Sequence, residues 1–408
     1  MDDPIPSLRT DLEIIPTIYQ GQPACLVRDF LGLIEKPVLL QGDVLNLLSL
    51  ADGRRTIREI QMQFIRGGGG VFVSAEQILG QFAELDRVYL LQSDRYREGK
   101  RQLTDSYARL RVRAAALAGQ SYPGSKAELA TFLDSMLDPG RAGRGEEEEG
   151  GAVRALAAPH IDFNIGRELY GRAYRAVRNL HPQKIILLGT GHALEEGYFS
   201  LTKKDFATPL GRSPADKASV EELRKAGGRA VAPDDLAHRR EHSLEFQVVF
   251  LQRLFGSEVP LVPILCGSFT AELLRFSRPS EIPGVGDFLQ RLRAISAEAG
   301  DRVLIVAGVD FSHIGPKFGH RRRADSMLLE AKHHDQALID ACAEGDAEAF
   351  WAESKRVKDE YNVCGFSSLA CLLEILPGAR GVCLGYEVSR EEAAQSAVSF
   401  AAIKFLRP

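Results

Sequence analysis

The 408-residue sequence lacks the features that mark secreted and membrane proteins. None of its six cysteines forms a CxxC pair, which is typical of reduced, cytosolic thiols rather than of a disulfide framework. No uncharged apolar run approaches the roughly 18 residues that a membrane helix needs. The start, Met1-Asp2-Asp3-Pro4, is neither basic nor apolar, so we expect no signal peptide. These absences predict a cytoplasmic protein that does not bind membranes.

The sequence also lacks an excess of positive charge. Lys plus Arg total 51 against 55 for Asp plus Glu, giving a formal net charge of -4. A mildly acidic chain is a poor candidate for general nucleic-acid binding, which needs a basic face to displace counterions. With 45% hydrophobic and 26% charged residues, the composition is that of an ordinary globular protein. At about 150 residues a domain, the length predicts two or three domains.

Residues 1–100 form the first predicted domain. Helix-spaced leucines in 37–50 predict a helix, and capping boxes at Thr56–Glu59 and Ser74–Gln77 predict the starts of two more. A strand is expected at 88–91. Three helices followed by a strand pair are typical of a small winged helix. Its predicted core is formed by Leu47, Ile60, Ile78, Phe82 and Leu85.

This helix and strand order resembles the PqqD-like winged-helix fold, whose relatives bind leader peptides. A winged helix can instead bind DNA, but residues 1–100 hold 11 Lys/Arg and 14 Asp/Glu, a net charge of -3. That balance favours a peptide or protein partner over nucleic acid. A packing domain without any ligand stays open as the plain alternative.

A connecting segment, 101–152, follows, with a helix and the acidic stretch 139–151 (PGRAGRGEEEEGG). The region 153–408 then alternates apolar runs with helix-length segments, which predicts an α/β domain with a mixed sheet covered by helices on both faces. The predicted strands are 153–158, 184–189, 259–265, 303–309 and 382–385.

Polar side chains follow these strands or begin the next helix, where ligands bind in such sheets. The candidates of this kind are His160, Asp162, His192, His242, Glu245, Asp310, His313 and Cys364. A separated set of two histidines and a cysteine suits a transition metal, because imidazole and thiolate bind iron, copper or zinc better than magnesium or calcium.

Seven motifs in this region occur in the order of the Memo family, called AmmeMemoRadiSam system protein B in bacteria and archaea. They are AGQSYPGS (118–125), APHIDF (158–163), LGTGH (188–192), EHSLEFQVVFL (241–251), VDFSHIG (309–315), YNVCG (361–365) and SAVSFAA (396–402). The resemblance covers residues 115–406. It implies a fold similar to the class III extradiol dioxygenases, and a redox metal bound by two histidines and one cysteine.

Carried over motif by motif, the resemblance assigns the metal ligands to His160, His192 and Cys364. It implies iron(II) first, copper as the alternative, and zinc third. In extradiol enzymes the third protein ligand is a carboxylate, whereas here it would be the Cys364 thiolate. A thiolate is softer and more electron-donating, which favours copper(I) and alters the reduction potential of iron.

The other motif residues receive catalytic roles. His313, held by Asp310, is the expected acid/base group, and His242 is expected to hydrogen-bond the substrate with Glu245 fixing its tautomer. Asp162 stands where the commoner family motif has glycine in Pro-His-Ala-Gly-Tyr. Three roles stay open for it: orienting an imidazole, binding the metal, or capping the following helix at 166–177.

Two functions of different class follow. The first is a dioxygenase-type oxidoreductase with a mononuclear redox metal, acting on an unknown small-molecule or peptide substrate. The second is a non-enzymatic module that binds a peptide or protein, or sequesters metal.

Overall fold

The computed structural model describes residues 3–67, 74–138, 153–298 and 300–407. The chain divides into two compact units between Arg109 and Leu110. The expected acidic linker at 139–151 lies outside the described residues. None of the helices within the described ranges is both long and apolar enough to cross a lipid bilayer.

The amino-terminal unit consists of a small antiparallel sheet and four helices. Its elements are β1 (Leu12–Tyr19), β2 (Gln22–Asp29), β3 (Val38–Gln41), α1 (Asp43–Leu50), α2 (Ile57–Gly67), α3 (Ala75–Arg87) and α4 (Asp94–Ala108). The sheet order is β1-β2-β3, and Gln20 and Gly21, both with positive φ, form the tight turn between the first two strands.

The expected helices and core of this unit are confirmed. Ser74 and Gln77 form a complete capping box, and Thr56 and Glu59 hydrogen-bond reciprocally in the same way. All five predicted core residues are buried in one cluster.

Two expectations for the strands differ from the structure. The predicted helix over 37–50 begins only at Asp43, because 38–41 pairs with β2 and Gly42 turns the chain at φ 58°. The expected strand at 88–91 forms only an isolated bridge between Leu8 and Leu91. The three-stranded sheet precedes the helices rather than following them, so the winged-helix arrangement stays a prediction.

The carboxy-terminal unit is the mixed α/β domain that the sequence predicts. Its helices are α5 (Lys126–Leu137), α6 (Arg167–Arg175), α7 (Lys217–Gly227), α8 (His242–Phe255), α9 (Val285–Glu298), α10 (Ala324–Glu344), α11 (Ala347–Val357) and α12 (Phe366–Ile375). Its strands are β4 (Val112–Arg113), β5 (Val153–Ala158), β6 (Lys184–Thr190), β7 (Phe199–Leu201), β8 (Asp205–Thr208), β9 (Gly211–Ser213), β10 (Leu261–Cys266), β11 (Val303–Gly308), β12 (His313–Ile314), β13 (Arg380–Glu391) and β14 (Ser396–Leu406).

The main sheet has the order β12-β14-β5-β11-β6-β10-β7, with β13 paired to β14. Strands β5, β11, β6 and β10 are parallel, whereas β7, β12, β13 and β14 pair antiparallel. Successive residues of the parallel strands contribute alternately to two hydrophobic clusters, one on each face. A sheet buried on both faces explains why these strands are continuous apolar runs in the sequence.

Candidate metal centre

Three neighbouring parallel strands place polar residues at one edge of the sheet. In the register, Gly308 of β11 lies between Ala158 of β5 and Gly189 of β6. The chain therefore delivers His160, His192 and Asp310 to the same carboxyl edge. This edge is where α/β sheets bind ligands.

Two glycines let helix α8 approach this edge closely. A Cβ on Gly189 would lie 2.6 Å from the Ser243 Oγ, and a Cβ on Gly308 would lie 2.2 Å from the Ser243 carbonyl oxygen. At Gly308 the obstructing atom belongs to the main chain of α8, so only glycine fits there. These close contacts bring the first turn of α8, with His242, and its N-cap Glu241 to the sheet edge.

Cys364 reaches the same edge from the loop before α12. Gly365 N–H donates to the Asp310 carbonyl oxygen at 2.9 Å, and a Cβ on Gly365 would lie 2.6 Å from that oxygen. The Thr190 hydroxyl donates to the Cys364 carbonyl oxygen at 3.1 Å. The thiol is thus fixed against both β6 and the segment after β11.

The two expected imidazoles and the thiol converge. One ligand atom each of His160, His192 and Cys364 lies within 4.8 Å of the others, inside the roughly 5 Å expected for a metal-sized site. The Cys364 Sγ lies 3.2 Å from the His160 Nε2. His160 Nδ1 lies 2.9 Å from the Gly308 carbonyl oxygen, which can only accept, so Nδ1 carries the proton and Nε2 faces the thiol.

Glu241 fixes the second imidazole. One of its oxygens lies 3.0 Å from the His192 Nδ1 and 3.3 Å from the His242 Nδ1. The other oxygen of Glu241 accepts a hydrogen bond from the main-chain N–H of His192 at 3.1 Å. With Nδ1 held by the carboxylate, the His192 Nε2 is directed at Cys364, to which His192 also hydrogen-bonds.

Charges within the cluster stabilise a thiolate. Burial alone would raise the pKa of Cys364, but the positive charge on His160 and His313 and hydrogen bonds from the imidazoles hold this pKa well below its ordinary value. Burial opposes protonation of His160, yet the thiolate and Asp310 raise its pKa to about 9. A metal ion binding here would replace the protons on the imidazole nitrogens that face the thiolate, because a nitrogen that binds a metal ion must first lose its proton.

His242 differs from the two other imidazoles at this edge. Burial, together with the positive charge on His192 and His160, outweighs Glu241 and lowers the pKa of His242 to about 3. Its ring stacks on that of His192, with centroids 4.8 Å apart and planes 17° apart. His242 is therefore neutral near pH 7, with Nδ1 toward Glu241 and Nε2 as a hydrogen-bond acceptor.

The structure brings His313 to the site but does not orient it through Asp310. His313 Nδ1 lies 2.9 Å from the Phe311 carbonyl oxygen, and its ring packs edge-on against Phe318 at 4.9 Å. Asp310 instead accepts the His160 N–H at 3.0 Å and lies 3.6 Å from the His160 Nε2. The carboxylate therefore faces the imidazole of the metal set, since β11 and β5 are paired neighbours.

Glu245 does not fix the His242 tautomer. It is fully buried, pairs with Arg113, and accepts hydrogen bonds from the Leu117 N–H at 2.9 Å and the Tyr122 hydroxyl at 2.5 Å. It anchors 113–122 against α8. The role expected of Glu245 belongs to Glu241, which the sequence analysis missed. The signal was its position directly before a helix, where an acidic side chain caps the first turn.

Asp162 stabilises the turn before α6 and does not cap that helix, whose N-cap is Gly166 without a side-chain hydrogen bond. Asp162 is exposed, and its carboxylate accepts the Asn164 N–H at 2.9 Å while its carbonyl oxygen accepts the Gly166 N–H at 2.9 Å. This turn leads into α6. Neither contact involves an imidazole of the site.

The donor set fits a soft or borderline transition metal. Two imidazole Nε2 atoms and one thiolate form one side of a site, and each ligating histidine has its Nδ1 held by an oxygen acceptor, the usual second contact of a metal-bound histidine. His192 has a side chain that is 22% exposed, so the site opens toward solvent on that side.

Comparison with known proteins identifies the family of the chain. A family model described as Memo-like protein matches residues 113–404. A MEMO1 family protein of Aquifex aeolicus (strain VF5) is 30% identical over 384 residues, covering 93% of this chain and 95% of that protein. A MEMO1 family protein of Nitrosopumilus maritimus (strain SCM1) is 25% identical over 303 residues, covering 72% of this chain and 100% of that protein. The chain therefore belongs to the Memo-like protein family.

Proposed function

We propose that the carboxy-terminal unit binds one redox metal ion through His160, His192 and Cys364 and acts as a dioxygenase-type oxidoreductase in the cytoplasm. The convergence of one ligand atom each from His160, His192 and Cys364 within 4.8 Å carries this proposal. The substrate is a small molecule or a peptide that reaches the site from the side where His192 is exposed.

The candidate metals are iron(II) first, copper second and zinc third, an order that follows the family resemblance. Two imidazoles and a thiolate are donors that can bind each of these metals. When bound, such a metal supplies one-electron chemistry and open positions for dioxygen and a chelating substrate.

The chain's own residues supply proton transfer beside the metal ligands. Neutral His242 presents Nε2 as a hydrogen-bond acceptor for a substrate hydroxyl, because Glu241 holds the proton on Nδ1. His313, with its Nδ1 on the Phe311 carbonyl, presents its Nε2 as the acid/base atom. Asp310 keeps His160 in place through the main-chain N–H.

Three variants test the division of roles in anaerobically purified, iron(II)-loaded protein. Cys364→Ser is expected to lose most of the metal, because a serine hydroxyl is not ionised near neutral pH. His313→Gln is expected to keep the metal and to lower oxygen uptake with small catechols by about 10²–10⁴-fold. Asp310→Asn is expected to lower metal affinity by about 10–100-fold, because Asp310 contacts the main chain and the imidazole of His160 rather than His313.

Metal analysis beside oxygen-uptake rates measures both properties, with Cys383→Ser at an exposed cysteine as the matched control. Metal loss in His313→Gln equal to that in Cys364→Ser would show that His313 supports the metal, and its acid/base role would have to be abandoned.

A non-enzymatic function is the second candidate. The edge strand β1 exposes Ile14, Ile18 and Tyr19, and Ile18 is 74% exposed. An apolar edge strand suits a peptide or protein partner of the amino-terminal unit, as the PqqD-like resemblance implies. Stable iron binding by a protein that consumes no oxygen in the presence of any catechol would favour this function over catalysis.

A further inference from the structure

The loop that carries Cys364 has an unusual backbone. Lys358, Asp359 and Asn362 have φ angles of 54°, 56° and 48°, the left-handed region that residues with a Cβ rarely adopt. Three such residues within five positions persist only when surrounding contacts impose the conformation. The contacts of Asn362 are therefore informative.

Asn362 joins this loop to the segment that carries His313. Its Nδ2 donates to the His313 carbonyl oxygen at 3.3 Å and to the Phe318 carbonyl oxygen at 3.1 Å. The neighbouring main chain adds a third link, because the His313 N–H donates to the Tyr361 carbonyl oxygen at 2.8 Å. One carboxamide thus contacts both His313 and the residue whose ring packs against the His313 imidazole.

Hydrogen bonds of Asp359 connect Asn362 with the residue that precedes Cys364. Asp359 accepts the Val363 N–H at 3.2 Å and the Thr270 hydroxyl at 2.7 Å, and its carbonyl oxygen accepts the Asn362 N–H at 3.0 Å. Val363 directly precedes Cys364. The position of the thiol and that of the His313 ring therefore depend on the same left-handed turn.

We propose that Asn362 is a positioning residue that holds Cys364 and His313 in fixed relation. Asparagine suits the position twice, since it tolerates the left-handed conformation and supplies two N–H donors. The inference rests on the proposed function only in giving the two positioned groups their roles as ligand and acid/base.

Two variants separate the backbone from the carboxamide. Asn362→Gly keeps the left-handed turn and removes the donors, so the thiol stays in place while His313 and Phe318 are released. Asn362→Ala removes the donors and strains the turn, so the thiol moves as well. Asn362→Asp keeps a residue that tolerates the turn but places a carboxylate against two carbonyl oxygens, and serves if the alanine variant does not fold.

Two measurements on full-length protein report the positions of the His313 ring and of the Cys364 thiolate. The ring-current shift that Phe318 imposes on the His313 ring protons is followed in histidine-labelled, metal-free protein by ¹H–¹³C correlation spectra, with His313→Gln assigning the signal. Cobalt(II) titration reports the thiolate through its sulfur-to-metal charge-transfer absorption. Gln20→Gly is the matched control, because Gln20 has the same backbone conformation, φ 50°, in the other unit.

We expect Asn362→Gly and Asn362→Asp to lose the His313 ring-current shift. Asn362→Gly should bind cobalt with unchanged affinity, whereas Asn362→Ala should lose about 10–100-fold, as for other residues that orient metal ligands. An unchanged His313 signal in the glycine and aspartate variants would overturn the proposal. If wild-type protein binds no cobalt, the proposed metal function fails, but the histidine spectrum still decides the role of Asn362.

Discussion

Each unit contains a buried cluster of charged side chains, and the two clusters differ in how their charges are paired. In the amino-terminal unit, Arg9 lies 2.7 Å from an Asp11 oxygen and 3.1 Å from an Asp29 oxygen, and also donates to the Tyr89 carbonyl oxygen at 2.9 Å. Asp29 in turn accepts the Leu31 and Ile34 N–H groups. Each buried charge faces an opposite charge or a hydrogen-bond partner within its own unit.

In the carboxy-terminal unit, the charged and polar side chains around Cys364 direct their donor atoms toward one place. Three histidine rings lie with centroids 4.8–5.2 Å apart, and the His160 Nε2 lies 3.2 Å from the Cys364 Sγ. Such an arrangement concentrates donors that a metal ion can satisfy together. Burial of charge alone therefore does not single out a candidate site, whereas convergence of donor atoms does.

The largest expected effect breaks the cluster of the amino-terminal unit. Arg9→Met leaves Asp11 and Asp29 buried without their cation, which should destabilise that unit by about 3–5 kcal/mol. Urea denaturation followed by circular dichroism measures the loss. Arg28→Met, which removes an exposed pair with Glu13, should cost at most about 1 kcal/mol.

Metal affinity should not change in Arg9→Met, because the metal donors belong to the other unit. A parallel loss of metal affinity would contradict the division into a structural and a functional cluster.

An intermediate effect should distinguish two glutamates four positions apart. Glu241→Gln weakens the hold on the His192 and His242 Nδ1 atoms and should lower cobalt(II) affinity by about 10–100-fold, the usual loss when a group that orients a ligand is replaced. Glu245→Gln should destabilise the fold without changing that affinity, because Glu245 contacts Arg113 and Tyr122.

Isothermal titration with cobalt and urea denaturation measure the two properties for each glutamate variant. Equal affinity losses in both would show that Glu245 also orients the site.

The smallest expected effect concerns Asp162. Asp162→Ala removes one exposed turn contact to Asn164 and should cost about 0.5 kcal/mol in stability with metal affinity unchanged. Asp162→Asn keeps an oxygen acceptor and should be neutral. A tenfold loss of cobalt affinity in the alanine variant would instead return Asp162 to the metal site.

The sequence predicts the principal donors because they follow apolar strands directly. His160 and His192 come two residues after β5 and β6, so the parallel register alone brings them together. The partners of His242 depend on three-dimensional direction. Spacing of three along a helix favours Glu245, but that face of α8 turns toward Arg113, and the N-cap Glu241 curls back over the first turn.

The amino-terminal strands could not be predicted because their pattern is weak. Pro16 and Pro23 interrupt β1 and β2, and proline within an apolar run argues against a strand unless the strand lies at an edge. Helices α2 and α3 carry capping boxes, which are local signals and survive without tertiary information.

The close packing of Gly365 has a consequence for ions of different radius. A Cβ on Gly365 would lie only 2.6 Å from the Asp310 carbonyl oxygen, so the main chain next to Cys364 is closely packed and cannot shift toward Asp310. The His192 side chain is 22% exposed, so its ring has room to move on the solvent side. We expect small and large ions to be accommodated by displacement of the His192 imidazole, while sulfur and the His160 nitrogen keep their places.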